Sequence, residues 1–138
     1  MKKVILGVDG SESADKAMDR IIAEAKCCKM EVIVVSVAEV LSTLSLKKDY
    51  SQAYERLMEE PRKILDEALE RLKEEKVEAR GVIEAGRPAT VIAELARKEK
   101  ADEVVVGSLG KHAVDRLLLG GVSARLIEIA PCTVVIVR

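Results

Sequence analysis

The chain has 138 residues, 49% of them hydrophobic, with 23 Lys and Arg against 24 Asp and Glu: one domain's worth of sequence, able to bury roughly two-thirds of its unfolded surface. Aromatic residues are 1%, Tyr50 and Tyr54 with no Phe or Trp, so the core is aliphatic and there is no platform for stacking nucleobases. The balanced charge, without a basic block, gives no footprint for a polyphosphate backbone, and nucleic acid is not expected as a partner.

Val4-Ile5-Leu6-Gly7-Val8 reads as a first strand. Ser11 or Ser13 can then cap a helix that presents Ala14, Ala17, Met18, Ile21, Ile22 and Ala25 on one face. Cys27 and Cys28 close this helical stretch, where they are expected to act as small hydrophobes. Val32 to Val37 is a second β-branched run, followed by a loop with possible helical turns over Glu39 to Lys48.

From about Asp49 to Lys76 the pattern is helical, with Ile64, Leu65, Ala68, Leu69 and Leu72 in an apolar stripe and Glu67 spaced to pair with Arg71. Pro61 predicts a kink or a fresh start inside it. Ala79 to Ile83 reads as the third strand, and a helix follows Pro88 with Val91, Ile92, Leu95 and Ala96 inward. Val104-Val105-Val106 is the fourth strand. A last helix runs from about Val114 to Ala130, interrupted at Gly120-Gly121, before a fifth strand, Thr133 to Val137. This alternation predicts a single doubly wound, Rossmann-like α/β domain over residues 1–138: a five-stranded parallel sheet in the order 3-2-1-4-5 with helices on both faces.

The cysteines are Cys27, Cys28 and Cys132, an odd number without metal-ligand spacing, which suits a reducing cytoplasm. No run approaches the length of uncharged apolar sequence needed to span a membrane, so a cytoplasmic location without a membrane partner is expected. His112 is the single histidine, so neither a catalytic triad nor a multi-histidine metal site can be assembled.

Ligands of such a sheet bind beyond the carboxyl ends of its strands, where the strand order reverses. The first strand ends in Val8-Asp9-Gly10-Ser11 and the fourth in Gly107-Ser108-Leu109-Gly110, with Gly120-Gly121-Val122-Ser123 following after the nine residues Lys111 to Leu119. Glycine admits close backbone approach, and N–H groups at such turns and at a helix start can surround phosphate without a Walker lysine. The bland alternative is that Gly107 and Gly110 only turn the chain and Gly120-Gly121 only break a helix.

These residues resemble the universal stress protein family nearly end to end: Val8-Asp9-Gly10-Ser11-Glu12, Gly86-Arg87-Pro88, Ala101-Asp102, and Ala130-Pro131-Cys132-Thr133-Val134-Val135-Ile136-Val137. The nucleotide motif G-x-x-G-x9-G-[ST] is matched by Gly107, Gly110 and Gly120, but Gly121 stands where ATP-binding members carry Ser or Thr. The resemblance implies ATP, with Mg²⁺ as a companion, near Asp9 and Val37, its phosphates lined by Gly107, Ser108, Gly110, Lys111 and His112 and by Gly120, Gly121, Val122 and Ser123. A lost charge-assisted hydrogen bond of roughly 1.5–3 kcal/mol would weaken such a site about ten-fold or more, with Ser123 able to compensate in part. Asp9 alternatively caps the first helix, Val37 is an ordinary strand residue, and Lys111 is a solvated charge.

The implied function is a nucleotide-binding regulatory, stress-response protein that acts through dimerisation and partner binding, with the homodimer formed through Thr133 to Val137. The alternative is a family member without nucleotide, working as a dimeric interaction module, which Gly121 favours. Enzymes of similar architecture fit poorly. A pyrophosphatase-type synthetase wants an S-G-G-x-D-S loop, and a phosphoacceptor receiver wants an aspartate and a lysine where Glu84 and Arg138 stand. No catalytic residue is expected; slow ATP hydrolysis stays compatible with the sequence.

Overall fold

A computed structural model describes residues 1–40, 51–109 and 120–138. The strands β1 (Lys2–Gly7), β2 (Met30–Glu39), β3 (Ala79–Gly86), β4 (Glu103–Gly107) and β5 (Thr133–Val137) form one parallel sheet in the order β3-β2-β1-β4-β5. Between them lie α1 (Glu12–Ala25), α2 (Ser51–Glu74), α3 (Pro88–Glu99) and α4 (Gly121–Ile129).

Alternation along each strand sends neighbouring side chains to opposite faces. Val4, Leu6, Val32 and Val34 pack with Ile21 of α1 and Leu65, Ala68 and Leu72 of α2 in one core layer. Ile5, Ile33, Val35, Val104 and Val106 pack with Ile92, Leu95 and Ala96 of α3 and Leu126 of α4 in the other. The strands are therefore apolar on both faces, as a parallel sheet covered on both sides requires. The expected inner face of α1 is buried from Ala14 to Ile22, with Ala25 packed at its margin.

Several local expectations change. Ser11, not Ser13, is the N-cap of α1: the Ala14 N–H donates to its Oγ at 3.1 Å. Cys27 and Cys28 do not act as small hydrophobes, because α1 closes at Lys26 and both thiols are exposed on the polar turn that follows. Arg71 pairs with Asp19 of α1, not with Glu67, since α1 and α2 lie side by side on one sheet face. α2 continues through Pro61 without a fresh start, and the Ser36 hydroxyl donates to the Pro61 carbonyl at 2.8 Å. β2 and β3 run on to Glu39 and Gly86 because they pair with each other beyond the last residue of β1. Residues 41–48 of the expected loop and 114–119 of the expected last helix lie outside the described residues.

At the amino ends of the strands the Lys2 ammonium meets Glu24 at 2.7 Å and Glu103 at 3.1 Å, and Arg80 meets Glu99 at 2.8 Å. The Lys2 ammonium therefore titrates above its ordinary value, held by Glu24 and Glu103, and the Glu99 carboxyl below its own, held by Arg80. These ion pairs tie β1 to β4 and strands to helices at one end of the sheet; the cavity opens at the other.

Candidate nucleotide site

At the carboxyl ends of β1, β2 and β4, beside the reversal of strand order, the structure holds a cavity of about 620 Å³. Its floor is built by Gly7, Val8, Ser36, Val37 and Val106; its rim carries Asp9, Leu109 and Gly120 to Ser123; α2 supplies Leu57, Pro61 and Ile64 along one wall. Of the residues expected from sequence, Asp9, Val37, Gly107, Gly120, Gly121, Val122 and Ser123 all line this one cavity. Ser108 is buried and is not among its lining residues. Gly110, Lys111 and His112 lie outside the described residues.

The ladder between β1 and β2 ends at Gly7 and Val35, closed by the Val8 N–H donating to the Val35 carbonyl at 3.0 Å. Even-numbered residues of β2 turn their backbone groups to β3, as the Val32 N–H to the Glu78 carbonyl and the Val40 N–H to the Gly86 carbonyl show. Val37 thus turns both its N–H and its C=O to the side that β1 has vacated, and neither has a partner among the described residues. A donor and an acceptor stand side by side on the cavity floor.

Asp9 is exposed and accepts the Ser11 N–H on Oδ1 at 2.9 Å, so it shapes the turn after β1 instead of capping α1. This turn needs Gly10, whose φ is +80. Its other carboxylate oxygen has no partner among the described residues.

At the opposite rim, α4 begins with Gly120 as a cap without a side chain. The N–H groups of Gly121, Val122 and Ser123, its first turn, have no intrahelical acceptor and no side-chain cap, which leaves them and the positive end of the helix dipole at the cavity rim, an arrangement that suits an anion. Around them the backbone is pinned: the Gly120 N–H donates to the Ser108 carbonyl at 2.7 Å and the Ser108 N–H to the Val137 carbonyl at 2.7 Å. The Ser123 hydroxyl is buried and donates to the Gly107 carbonyl at 2.8 Å, so its proton is engaged within the fold and unavailable to an incoming oxyanion.

Gly107 has a packing reason as well. A Cβ there would lie 2.3 Å from Ser13 Oγ and 2.6 Å from Ala14 N, so only glycine lets β4 end against the first turn of α1. A Cβ on Gly121, by contrast, would have nothing within 4 Å.

Sequence reasoning missed two contributors. Ser13 clamps the chain after β4: its hydroxyl donates to the Leu109 carbonyl at 2.6 Å and accepts the Leu109 N–H at 3.2 Å. The cavity wall from α2 was also missed, although Leu57, Pro61 and Ile64 share one helix face by spacing, a signal that was available.

A doubly wound parallel sheet with a cavity at its switch point, rimmed by a helix start, is the architecture of an α/β protein whose ligands bind beyond the carboxyl ends of the strands. The model of the Universal stress protein family matches residues 1–138, and the chain belongs to that family. It is 34% identical to Universal stress protein MJ0531 of Methanocaldococcus jannaschii over 139 aligned positions, covering 99% of this chain and 82% of that protein. Among solved structures, the hypothetical protein MJ0577 superposes with a TM-score of 0.87 at 26% identity, covering 99% of this chain and 94% of that one. A universal stress protein solved in complex with cAMP matches at 32% identity and a TM-score of 0.62, over 99% of this chain and 97% of that one. An Arabidopsis thaliana family protein solved with AMP bound shares the fold at 19% identity and a TM-score of 0.72, over 99% of this chain and 91% of that one. No helix among the described residues is long and apolar enough to cross a membrane.

Proposed function

We propose that this protein is an adenine-nucleotide-binding regulator whose ligand state governs association with a copy of itself and with partner proteins. One observation carries the reading: the unpaired N–H and C=O of Val37 on the cavity floor. Adenine offers the matching edge, a ring nitrogen that accepts beside an exocyclic amine that donates. The free carboxylate oxygen of Asp9 then receives a ribose hydroxyl. The phosphates lie against Gly107, Ser108, Gly110, Lys111 and His112 and the N–H groups of Gly121 to Ser123. That relatives were solved in complex with cAMP and with AMP supports an adenine nucleotide as the ligand.

Asp9, Glu39, Glu60 and one cation, Arg56, are the charged residues among the described lining. A triphosphate carries several negative charges of its own, so ATP is expected to bind with Mg²⁺. We assign no catalytic residue.

Association is proposed through β5. It is a sheet edge reading Thr133-Val134-Val135-Ile136-Val137, without a charge, whereas the other edge, β3, carries Arg80 and Glu84. Charged edges resist strand addition and apolar ones invite it; the pair would be isologous.

The reading without nucleotide draws on a specific feature: Gly121 supplies no hydroxyl and the Ser123 hydroxyl is turned to Gly107. Calorimetric titration with Mg-ATP and AMP separates the two. Heat from the wild type, with tighter Mg-ATP binding by Gly121→Ser, is the expected result. No heat from either folded protein leaves the dimeric interaction module as the better description.

A further inference from the structure

Pro61 lies near the middle of the 24-residue helix α2, and it has no N–H to give to the residue four positions before it. The Leu57 carbonyl therefore lacks the i to i+4 helical hydrogen bond, and no side chain or loop group among the described residues donates to it. Leu57 and Pro61 both line the cavity, so the interruption lies on the cavity side of the helix. A proline pushes apart the turn before it on its own face, which opens that carbonyl toward the space the face borders.

Its direction follows from the topology. α2 joins parallel strands β2 and β3, so it returns against the strand direction, and helical carbonyls point to the helix C-terminus. The Leu57 carbonyl therefore points along the helix to the level of Pro61. That level is fixed, because the Ser36 hydroxyl holds the Pro61 carbonyl at 2.8 Å. Val37, with its free N–H and C=O, is the next residue of β2.

We propose that the Leu57 carbonyl, released from α2 by Pro61, accepts a hydrogen bond from the exocyclic amine of a bound 6-aminopurine and selects that base over purines lacking the amine. The inference rests on the nucleotide reading above. An exocyclic amine has two hydrogens: the Val37 carbonyl takes one and the Leu57 carbonyl the other.

The test compares AMP with purine riboside 5′-monophosphate, which carries hydrogen in place of the amine, by calorimetry on wild type and on Pro61→Ala. Alanine restores an N–H to the Leu57 carbonyl and removes a helix breaker, so the variant folds at least as well. Wild type is expected to prefer AMP, and Pro61→Ala to lose about five-fold of that preference, the worth of one neutral hydrogen bond, with purine riboside 5′-monophosphate affinity nearly unchanged. If Pro61→Ala weakens both nucleotides equally, or neither, the ratio stays constant, Pro61 acts only on helix shape and the inference is overturned. If wild type binds neither nucleotide, the nucleotide reading itself fails and the inference goes with it.

Discussion

Replacing Gly107 with alanine tests whether the end of β4 is as tightly held as the structure has it. The added carbon would meet Ser13 Oγ at 2.3 Å, Ala14 N at 2.6 Å and the Ser13 carbonyl carbon at 2.6 Å. Two of the three are backbone atoms and cannot swing aside, so β4 and the first turn of α1 must separate. Overpacking of this kind costs about 1–3 kcal/mol. The separation also strains the Ser123 bond to the Gly107 carbonyl and the Ser13 clamp on Leu109, each worth about 1 kcal/mol. We expect a total loss of roughly 2–4 kcal/mol and a fall in Tm on the order of 10 °C. Urea denaturation at fixed protein concentration measures it, with Gly121→Ser as the comparison: its side chain meets no atom within 4 Å, and its stability should stay within about 0.5 kcal/mol of wild type. A Gly107→Ala protein equally close to wild type would refute the close approach.

Ser11→Ala removes the cap of α1 and should cost about 1 kcal/mol in chemical denaturation; an equal loss from Asp9→Ala alone, with Ser11→Ala silent, would reverse the assignment of the cap. Val135→Lys puts a charge on the apolar edge strand, and light scattering should find monomers where wild type is dimeric; a wild type already monomeric across micromolar concentrations counts against β5 as the contact. The Glu99 carboxyl is held below its ordinary value by Arg80, so the folded state binds its proton less readily than the unfolded chain does. The stabilisation is present above the ordinary carboxylate range and is lost as pH falls through the folded value; Glu99→Gln should therefore flatten the acid limb of a stability profile and leave its neutral plateau shape unchanged.

The layered α/β architecture was legible in the sequence because parallel strands covered on both faces must be apolar throughout, as Val4 to Val8, Val104 to Val106 and Thr133 to Val137 are, while the helices between them keep one apolar stripe. That Gly107, Gly120 and Gly121 come to one cavity was legible too, since they follow a strand end and start a helix. What remained out of reach depended on contacts between elements distant in the chain. Only the ladder between β1 and β2, which stops at Val35, decides that Val37 has free backbone groups. Only the approach of α1 to β4, 94 residues apart from Ser13 to Gly107 by their numbers, makes Gly107 a packing necessity and turns Ser13 into a clamp. Asp19, across the α1–α2 interface, outcompetes Glu67 for Arg71 for the same reason. Periodicity encodes which face of an element is buried, but which backbone group is left unpaired, and which side chain finds it, is set by where the neighbouring elements end.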